Sequence, residues 1–322
     1  MTTNQTRDTT DKSIVFPNHM QRYRIDPSLN PRPARGMRCL TLVAAVMYAC
    51  VSGCGHRVTP YVARVRETRG VLISVAAWGP DSQRLDHAVA AALDSAAAVE
   101  TALAGVRDWP GTQGVSPGLA QLVLRAVELA RASGGAFDPT ARNFRALSVD
   151  TMRHTITLTG GLHLDLGEVG RGYALDRALA ALHGAADSAV ISSGGQYLIH
   201  SDWSGARVVG IVDPNHTLVP RARLTIPAGT WAVSTMSVAE AGDALLDPRT
   251  GKAATRTRVV AAMGPSAAAA GGWSMAFYVV GCDSALALAP RVHTSVVCVD
   301  DDVRWSSDLE GRIIVTDTMR ER

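Results

Sequence analysis

In residues 165–176, DLGEVGRGYALD, three glycines lead directly into a run with helical spacing. This run predicts a helix over residues 172–183, and Gly184 ends it. Backbone N–H groups at the start of such a helix can face an anion, and Arg171 adds positive charge there. The segment therefore indicates a turn that takes a phosphate. The alternative is an ordinary tight turn between a strand and a helix.

Strand patterns flank this segment on both sides. Alternating or apolar runs over residues 155–159 and 188–192 predict the neighbouring strands. Helical spacing predicts two more helices over residues 81–107 and 116–134. Further strands are predicted over residues 70–78, 208–212, 222–226, 230–233, 258–263 and 295–299. Because strands and helices mix without strict βαβ alternation, we expect an α+β fold with mixed β-sheets flanked by helices.

Residues 37–54, MRCLTLVAAVMYACVSGC, have the pattern of a signal peptide. A positive start precedes an apolar run that is too short for a comfortable transmembrane helix. The ending Val51-Ser52-Gly53-Cys54 resembles the bacterial lipobox, in which the cysteine is lipidated and becomes the first residue of the mature protein. A simple secretory signal or an anchor helix are the alternatives. We expect an exported bacterial lipoprotein, anchored to the membrane through Cys54 and facing the periplasm or cell exterior.

The segments around this leader divide the chain. Residues 1–36 are polar, contain four prolines and lack apolar periodicity. We interpret them as disordered or as a mis-annotated upstream segment, with translation starting at Met37 instead of Met1. Residues 55–67 are predicted to be a tether, and residues 68–318 are predicted to be the folded domain.

Charge and cysteine content exclude two classes of function. The first 54 residues carry a charge of +4, so a formal net charge of +3 leaves −1 for the rest of the chain. A near-neutral domain lacks the basic stripe that nucleic-acid binding requires. The five cysteines form no CxxC or Cys/His cluster, so a structural zinc site is not expected. Cys282 and Cys298 either pair in an oxidising compartment or are two buried apolar side chains.

Four segments contain more small and charged residues than a core needs. They are 133–140 (SGGAFDPT), 165–176, 247–251 (DPRTG) and 270–281 (AGGWSMAFYVVG), with the turn 193–195 (SGG) and the segment 203–214 between them. In this order and spacing they resemble the FAD:protein FMN transferase (ApbE) family over about residues 68–315. The chain is identified as a divergent member of that family, which implies an ApbE-like single domain.

The resemblance implies a specific activity. Members of the family are usually exported, bind FAD, and with Mg²⁺ attach FMN through a phosphoester to a Thr or Ser of a membrane redox protein, with release of AMP. Such a reaction is the attack of a hydroxyl on a pyrophosphate. It needs a cation on the phosphate oxygens, a group that accepts the hydroxyl proton, and a rigidly held flavin.

The resemblance also assigns candidate site residues. The turn Ala136-Phe137-Asp138 matches the family's FAD contact. Asp165 and Arg171 belong to the Gly-rich segment, and Leu245 lies next to the dinucleotide contact. The implied FAD-binding residues are Ala136, Phe137, Asp138, Asp165, Arg171 and Leu245. Glu168 stands where the family takes a metal ligand from the loop, commonly through backbone oxygen, so it is the candidate ligand for Mg²⁺. Its carboxylate either replaces the family's missing Asp or is solvated.

The sequence departs from the family pattern at the reaction centre. The family's Asp and Thr ligands of magnesium correspond to Gly271 and Met275, and neither side chain offers an oxygen to a hard cation. The family's His before the Asp-Pro-Arg-Thr-Gly turn corresponds to Ala244, so no catalytic residue is assigned. The early Ser-x-Tyr flavin segment is absent, and residues 96–98 are alanines.

Three functions therefore stay open. The first is an FMN transferase with a rearranged metal site, and the second is an FAD-binding pseudoenzyme or scaffold lipoprotein without transfer. The third is a lipoprotein that binds protein partners and has lost flavin. The three lost side chains favour the second over the first.

Overall fold

The structure, a computed structural model, describes residues 59–107, 111–202, 207–213, 220–237, 245–254 and 257–316. Fourteen strands are found in this part of the chain. In chain order they are β1 (Tyr61–Thr68), β2 (Val71–Trp78), β3 (Gly111–Gly114), β4 (Leu147–Asp150), β5 (Thr155–Leu158), β6 (Ser188–Ser193), β7 (Gln196–Ser201), β8 (Arg207–Val212), β9 (Pro220–Ile226), β10 (Gly229–Ser237), β11 (Val259–Gly264), β12 (Ser295–Val299), β13 (Val303–Trp305) and β14 (Ile313–Val315).

The strands form three sheets in which all neighbouring strands are antiparallel. The largest has eight strands in the order β1-β2-β6-β7-β10-β11-β12-β13. The two smaller sheets have the orders β14-β9-β8 and β3-β5-β4. This mixture of sheets and helices confirms the predicted α+β fold.

Five α-helices accompany the sheets in the described residues. They are α1 (Ser82–Val106), α2 (Pro117–Ala132), α3 (Gly167–Leu182), α4 (Ala267–Val280) and α5 (Cys282–Leu288). Asp81 caps α1 by accepting hydrogen bonds from two backbone N–H groups, and Ser116 caps α2, which has Pro117 in its first turn. By length and composition α1 is apolar enough to cross a membrane, yet Leu85, Val89 and other residues of its apolar face are buried in the core.

The large sheet separates two cores, because successive side chains of a strand point to opposite faces. In β6, Ile191 packs with α1 and α3, whereas Val190 packs with the β8 and β9 side chains. In β10, Ala232 packs in the core with α1 and α3, and Val233 packs in the core with β8 and β9. The helices therefore cover one face of the large sheet, and the sheet of β14, β9 and β8 covers the other.

Helices α3 and α4 lie unusually close together. A Cβ atom added to Gly172 of α3 would lie 2.5 Å from the Ala268 backbone nitrogen of α4 and closer still to the Ala267 carbonyl oxygen. Asp176 of α3 accepts hydrogen bonds from the Ala267 and Ala268 N–H groups at 2.8 and 3.1 Å, and from the Ser266 hydroxyl at 2.9 Å. Burial raises the pKa of Asp176, and these hydrogen bonds oppose that rise. The start of α4 is thus held by a side chain of α3.

Two boundaries differ from the sequence prediction. The tether predicted over residues 55–67 is wrong from Tyr61 onward, because Tyr61–Thr68 forms β1 and pairs with β2 along its whole length. Arg64 of β1 also forms an ion pair with Asp86 of α1 at 2.6 Å. Helix α3 begins at Gly167 instead of residue 172. The predicted leader, Cys54 and the segment 1–36 lie outside the described residues.

The cysteine pair takes the buried arrangement. Cys282 at the start of α5 and Cys298 in β12 are both buried free thiols. A hydrogen bond to Cys282, together with burial, raises the pKa of Cys298, so this thiol stays protonated. The two side chains are neighbours in one apolar cluster.

Candidate functional site

The turn at residues 136–138 lies against the Gly-rich loop. The Asp165 backbone nitrogen donates a hydrogen bond to the Pro139 carbonyl oxygen at 2.6 Å, which joins the two segments. Asp165 in turn accepts a hydrogen bond from the Gly167 nitrogen at 3.0 Å. Gly167 has a φ of 46°, a left-handed conformation that glycine adopts without steric cost, and it begins α3. Two of the four family segments therefore meet at the start of this helix.

The Asp138 side chain stabilises its own turn. One carboxylate oxygen accepts hydrogen bonds from the Thr140 nitrogen and hydroxyl at 2.8 and 2.7 Å, and the other accepts one from the Phe144 nitrogen at 2.9 Å. The Ala136 and Phe137 side chains are buried in the core. This turn consequently offers a ligand its backbone and its shape instead of free side-chain donors.

The segment 247–251 lies beside the same turn. Arg249 passes over Gly135, where its Cγ atom is 3.5 Å from the position of an added Cβ. Asp247 holds Arg249 through hydrogen bonds from Nε and Nη2 at 2.8 and 2.7 Å. These bonds raise the pKa of Arg249, which remains a cation. Leu245 is half-buried and pairs with Ala254 through backbone atoms, whereas Ala244 lies outside the described residues.

Glu168 is the centre of a closed hydrogen-bond network. Arg171 Nη1 donates to Glu168 Oε1 at 2.5 Å, within the same helix. Gln196 Nε2, from the start of β7, donates to Glu168 Oε2 and to the Glu168 carbonyl oxygen, both at 2.7 Å. The Glu168 side chain is only 14% exposed, and Gln196 is 1% exposed. Both carboxylate oxygens and the loop carbonyl are therefore already engaged by donors.

The residues at the predicted metal site do not fit a magnesium ion. A dication needs free oxygen ligands, but the oxygens of Glu168 face a guanidinium and an amide nitrogen. Sulfur is no substitute, and the Met275 thioether lies over the loop, 3.5 Å from the position of an added Cβ on Gly167. No group of three or more His, Cys, Asp or Glu side chains suited to a metal occurs in the described residues. Glu168 as a metal ligand stays a prediction, and in this arrangement its three oxygens already accept hydrogen bonds.

Gly271 of α4 closes the site from the other side. A Cβ atom added to Gly271 would lie 2.5 Å from Gln196 Nε2 and even closer to the Glu168 carbonyl oxygen. Real Cβ atoms do not approach backbone atoms so closely, so helix α3 and Gln196 occupy the space of any side chain at this position. The position that corresponds to the family's Asp has thus lost both its carboxylate and the room for one.

Gln196 is the residue that sequence reasoning missed. Its position directly after the turn 193–195 was the available signal, but the contact with Glu168 joins residues 28 positions apart. Gly194 of that turn also lies close to Arg171, with Nη1 3.0 Å from the position of an added Cβ. Arg171 and Gln196 approach Glu168 from two different elements and complete the network.

Comparison with known proteins agrees with this architecture. The model of the ApbE family matches residues 141–299. The solved structure of the ApbE protein from Thermotoga maritima has a TM-score of 0.68 and 20% identity, and covers 78% of this chain and 99% of that one. The flavinyl transferase ApbE of Pseudomonas stutzeri has a TM-score of 0.61 and 20% identity, and covers 79% of this chain and 97% of that one. The flavin transferase ApbE of Vibrio cholerae has a TM-score of 0.62 and 16% identity, and covers 79% of this chain and 99% of that one. No curated protein matches the chain.

At identities of 20% or below, these structural likenesses establish an α+β fold like that of the three solved structures. The match to the ApbE family model over residues 141–299 agrees with the family that the order of the motifs predicted.

Proposed function

We propose that this protein binds FAD where the turns at residues 133–140 and 247–251 meet the start of α3. The match to the ApbE family model over residues 141–299 supports a function of the flavin-transferase class, with FAD as the dinucleotide. We also propose that the protein is an exported lipoprotein held at the membrane by Cys54, because residues 37–54 have a lipobox ending.

Arg171 is the side chain we assign to the pyrophosphate. Its side chain is 32% exposed, and only Nη1 is committed to Glu168 in the described hydrogen bonds. A guanidinium has five N–H donors in a planar fork, so its other N–H groups can reach phosphate oxygens. The α3 N-terminus, next to Asp165 and Gly167, contributes backbone N–H groups and the positive end of the helix dipole.

Within this class, we propose that magnesium-dependent FMN transfer is lost or very slow. The observation that carries the proposal is the network in which Arg171 and Gln196 engage every oxygen of Glu168. When present, a magnesium ion would neutralise the pyrophosphate oxygens and help AMP to leave. Gly271 and Met275 offer the ion no oxygen ligand, and the oxygens of Glu168 already accept hydrogen bonds from Arg171 and Gln196.

An active FMN transferase is the second candidate. The position of the largely buried Glu168 carboxylate at the start of α3 favours it. For Glu168 to hold a magnesium ion, Arg171 and Gln196 would have to give up their hydrogen bonds to Glu168. The buried Gln196 amide and the Arg171 guanidinium would then lose their acceptors. In this case the acceptor would be a Thr or Ser of a membrane redox protein, as in the family.

Titration of FAD into the full-length protein, with and without magnesium, separates the candidates. We expect quenching of flavin fluorescence at equal FAD concentrations in both buffers, and no AMP by chromatography. AMP formation that depends on magnesium would support the second candidate. Absence of FAD binding in both buffers would instead indicate a lipoprotein that binds protein partners and has lost flavin.

A further inference from the structure

The amide nitrogen of Gln196 lies between two oxygens of one residue. It is 2.7 Å from the Glu168 carbonyl oxygen and 2.7 Å from Oε2 of the same residue. Gln196 is held rigidly, because its backbone pairs with Ser193 of β6 and Ser234 of β10 in the large sheet. The nitrogen therefore has a fixed position at the start of α3.

The atoms around this nitrogen form the ligand set of a hard cation. A carboxylate oxygen and a backbone carbonyl oxygen converge on one point, which is how magnesium and calcium are commonly held. Here the point is taken by an NH₂ group, which has two N–H donors for two acceptors. The opposite orientation of the amide would place Oε1 against both oxygens of Glu168, so the hydrogen-bond network selects the nitrogen.

Hydrophobic packing does not explain a glutamine at this position. Gln196 is 1% exposed, and its Oε1 atom is buried without a hydrogen-bond partner among the described residues. An unpaired buried acceptor is costly, and a methionine or leucine would fill a similar volume without that cost. The two hydrogen bonds that Gln196 Nε2 donates to Glu168 offset the cost of burying the unpaired Oε1.

We propose that the side-chain amide of Gln196 replaces a divalent cation in this chain. Gln196 satisfies the oxygens that would otherwise bind the ion, and Arg171 supplies the positive charge. Gly271 lets α4 lie directly against Glu168 and Gln196. The loop at the start of α3 is then fully assembled without metal. This inference concerns the ligand-free protein and does not rest on FAD binding.

The substitution Gln196→Glu tests it, because it exchanges the NH₂ group for an oxygen of almost the same size. The variant presents two carboxylates and one carbonyl oxygen to the same point, which restores a cation site. Without metal the two carboxylates repel each other, so the variant should melt below the wild type. Gln121→Glu, on the exposed face of α2, is the charge-matched control.

Thermal unfolding of the full-length protein in detergent is measured with a chelator, with Mg²⁺ and with Mn²⁺. The wild type and Gln121→Glu should change by less than about 1 °C, because neither gains a site. Gln196→Glu should rise by about 3–6 °C when the metal exceeds its dissociation constant tenfold. A similar metal-dependent rise in the wild type, or a Gln196→Glu variant that is indifferent to metal, would overturn the proposal.

A second measurement does not require the variant to fold. The wild type is equilibrated with Mn²⁺, separated from free ion, and analysed for bound metal. We expect well under one ion for every ten chains, whereas about one ion per chain would overturn the inference. Flavin is absent from both experiments, so their failure is distinguishable from a failure of the proposed FAD binding.

Discussion

The substitution Gly271→Ala tests the closed packing around Glu168 most simply. A Cβ at this position would fall 2.5 Å from Gln196 Nε2, closer still to the Glu168 carbonyl oxygen, and 2.8 Å from the Glu168 carbonyl carbon. The amide of Gln196 can rotate away only by giving up its bonds to Glu168. The Glu168 backbone can move only if α3 shifts relative to α4, and Gly172 already leaves these helices no free space.

The expected loss of stability follows from two opposing contributions. An alanine inside a helix is about 1 kcal/mol more favourable than a glycine. Overpacking a close contact costs about 1–3 kcal/mol, and a clash with backbone atoms belongs at the upper end. The net loss should be about 2 kcal/mol, which lowers the melting temperature of a domain of this size by about 4–8 °C.

Gly105→Ala is the matched control for this measurement. Gly105 also lies in a helix, α1, but an added Cβ there meets nothing within 4 Å. It should raise stability by about 0.5–1 kcal/mol. Differential scanning fluorimetry compares both variants with the wild type. A Gly271→Ala protein as stable as Gly105→Ala would refute the closed packing of α3 against α4.

Three further predictions concern other parts of the molecule. Arg171→Ala should weaken FAD binding by roughly tenfold to a hundredfold, because a charge-assisted bond to phosphate contributes about 1.5–3 kcal/mol; an unchanged titration curve would remove Arg171 from the site. Asp176→Ala should destabilise the protein by about 1–3 kcal/mol in urea unfolding, since three donors at the start of α4 lose their acceptor; an unaltered midpoint would show that water or Ser266 replaces it. Cys54→Ala should leave an unlipidated precursor, and a mature N-terminus elsewhere by mass spectrometry would contradict the lipobox interpretation.

Local patterns were sufficient for the class of fold and for the family. The Gly-rich segment, the helix after it and most strands follow from periodicity and from turn residues, which are properties of neighbouring positions. The strand at Tyr61–Thr68 was missed although its residues alternate in exposure. It lies at the edge of the large sheet, and the charged residues Arg64 and Arg66 made it resemble a solvated connection.

The chemistry of the site depended on contacts that a single sequence does not reveal. Sequence reasoning interpreted Gly271 as a lost ligand, but its meaning changes once Gln196 and Glu168 fill the space beside it. The role of Gln196 arises only when β7 and α3 come together. Glu168 looked available for a metal because its partner Arg171 was assigned to a phosphate alone.

Release of AMP from FAD under magnesium shows whether the site at Glu168 supports transfer. The full-length protein, in excess over FAD, is incubated with magnesium at the millimolar level, and nucleotides are separated by chromatography over several hours. We expect FAD to stay bound and intact, and we expect the same nucleotide chromatogram in the presence of a chelator. Stoichiometric AMP that appears only with magnesium would contradict it, because the network of Arg171, Glu168 and Gln196 would then have opened to hold the ion.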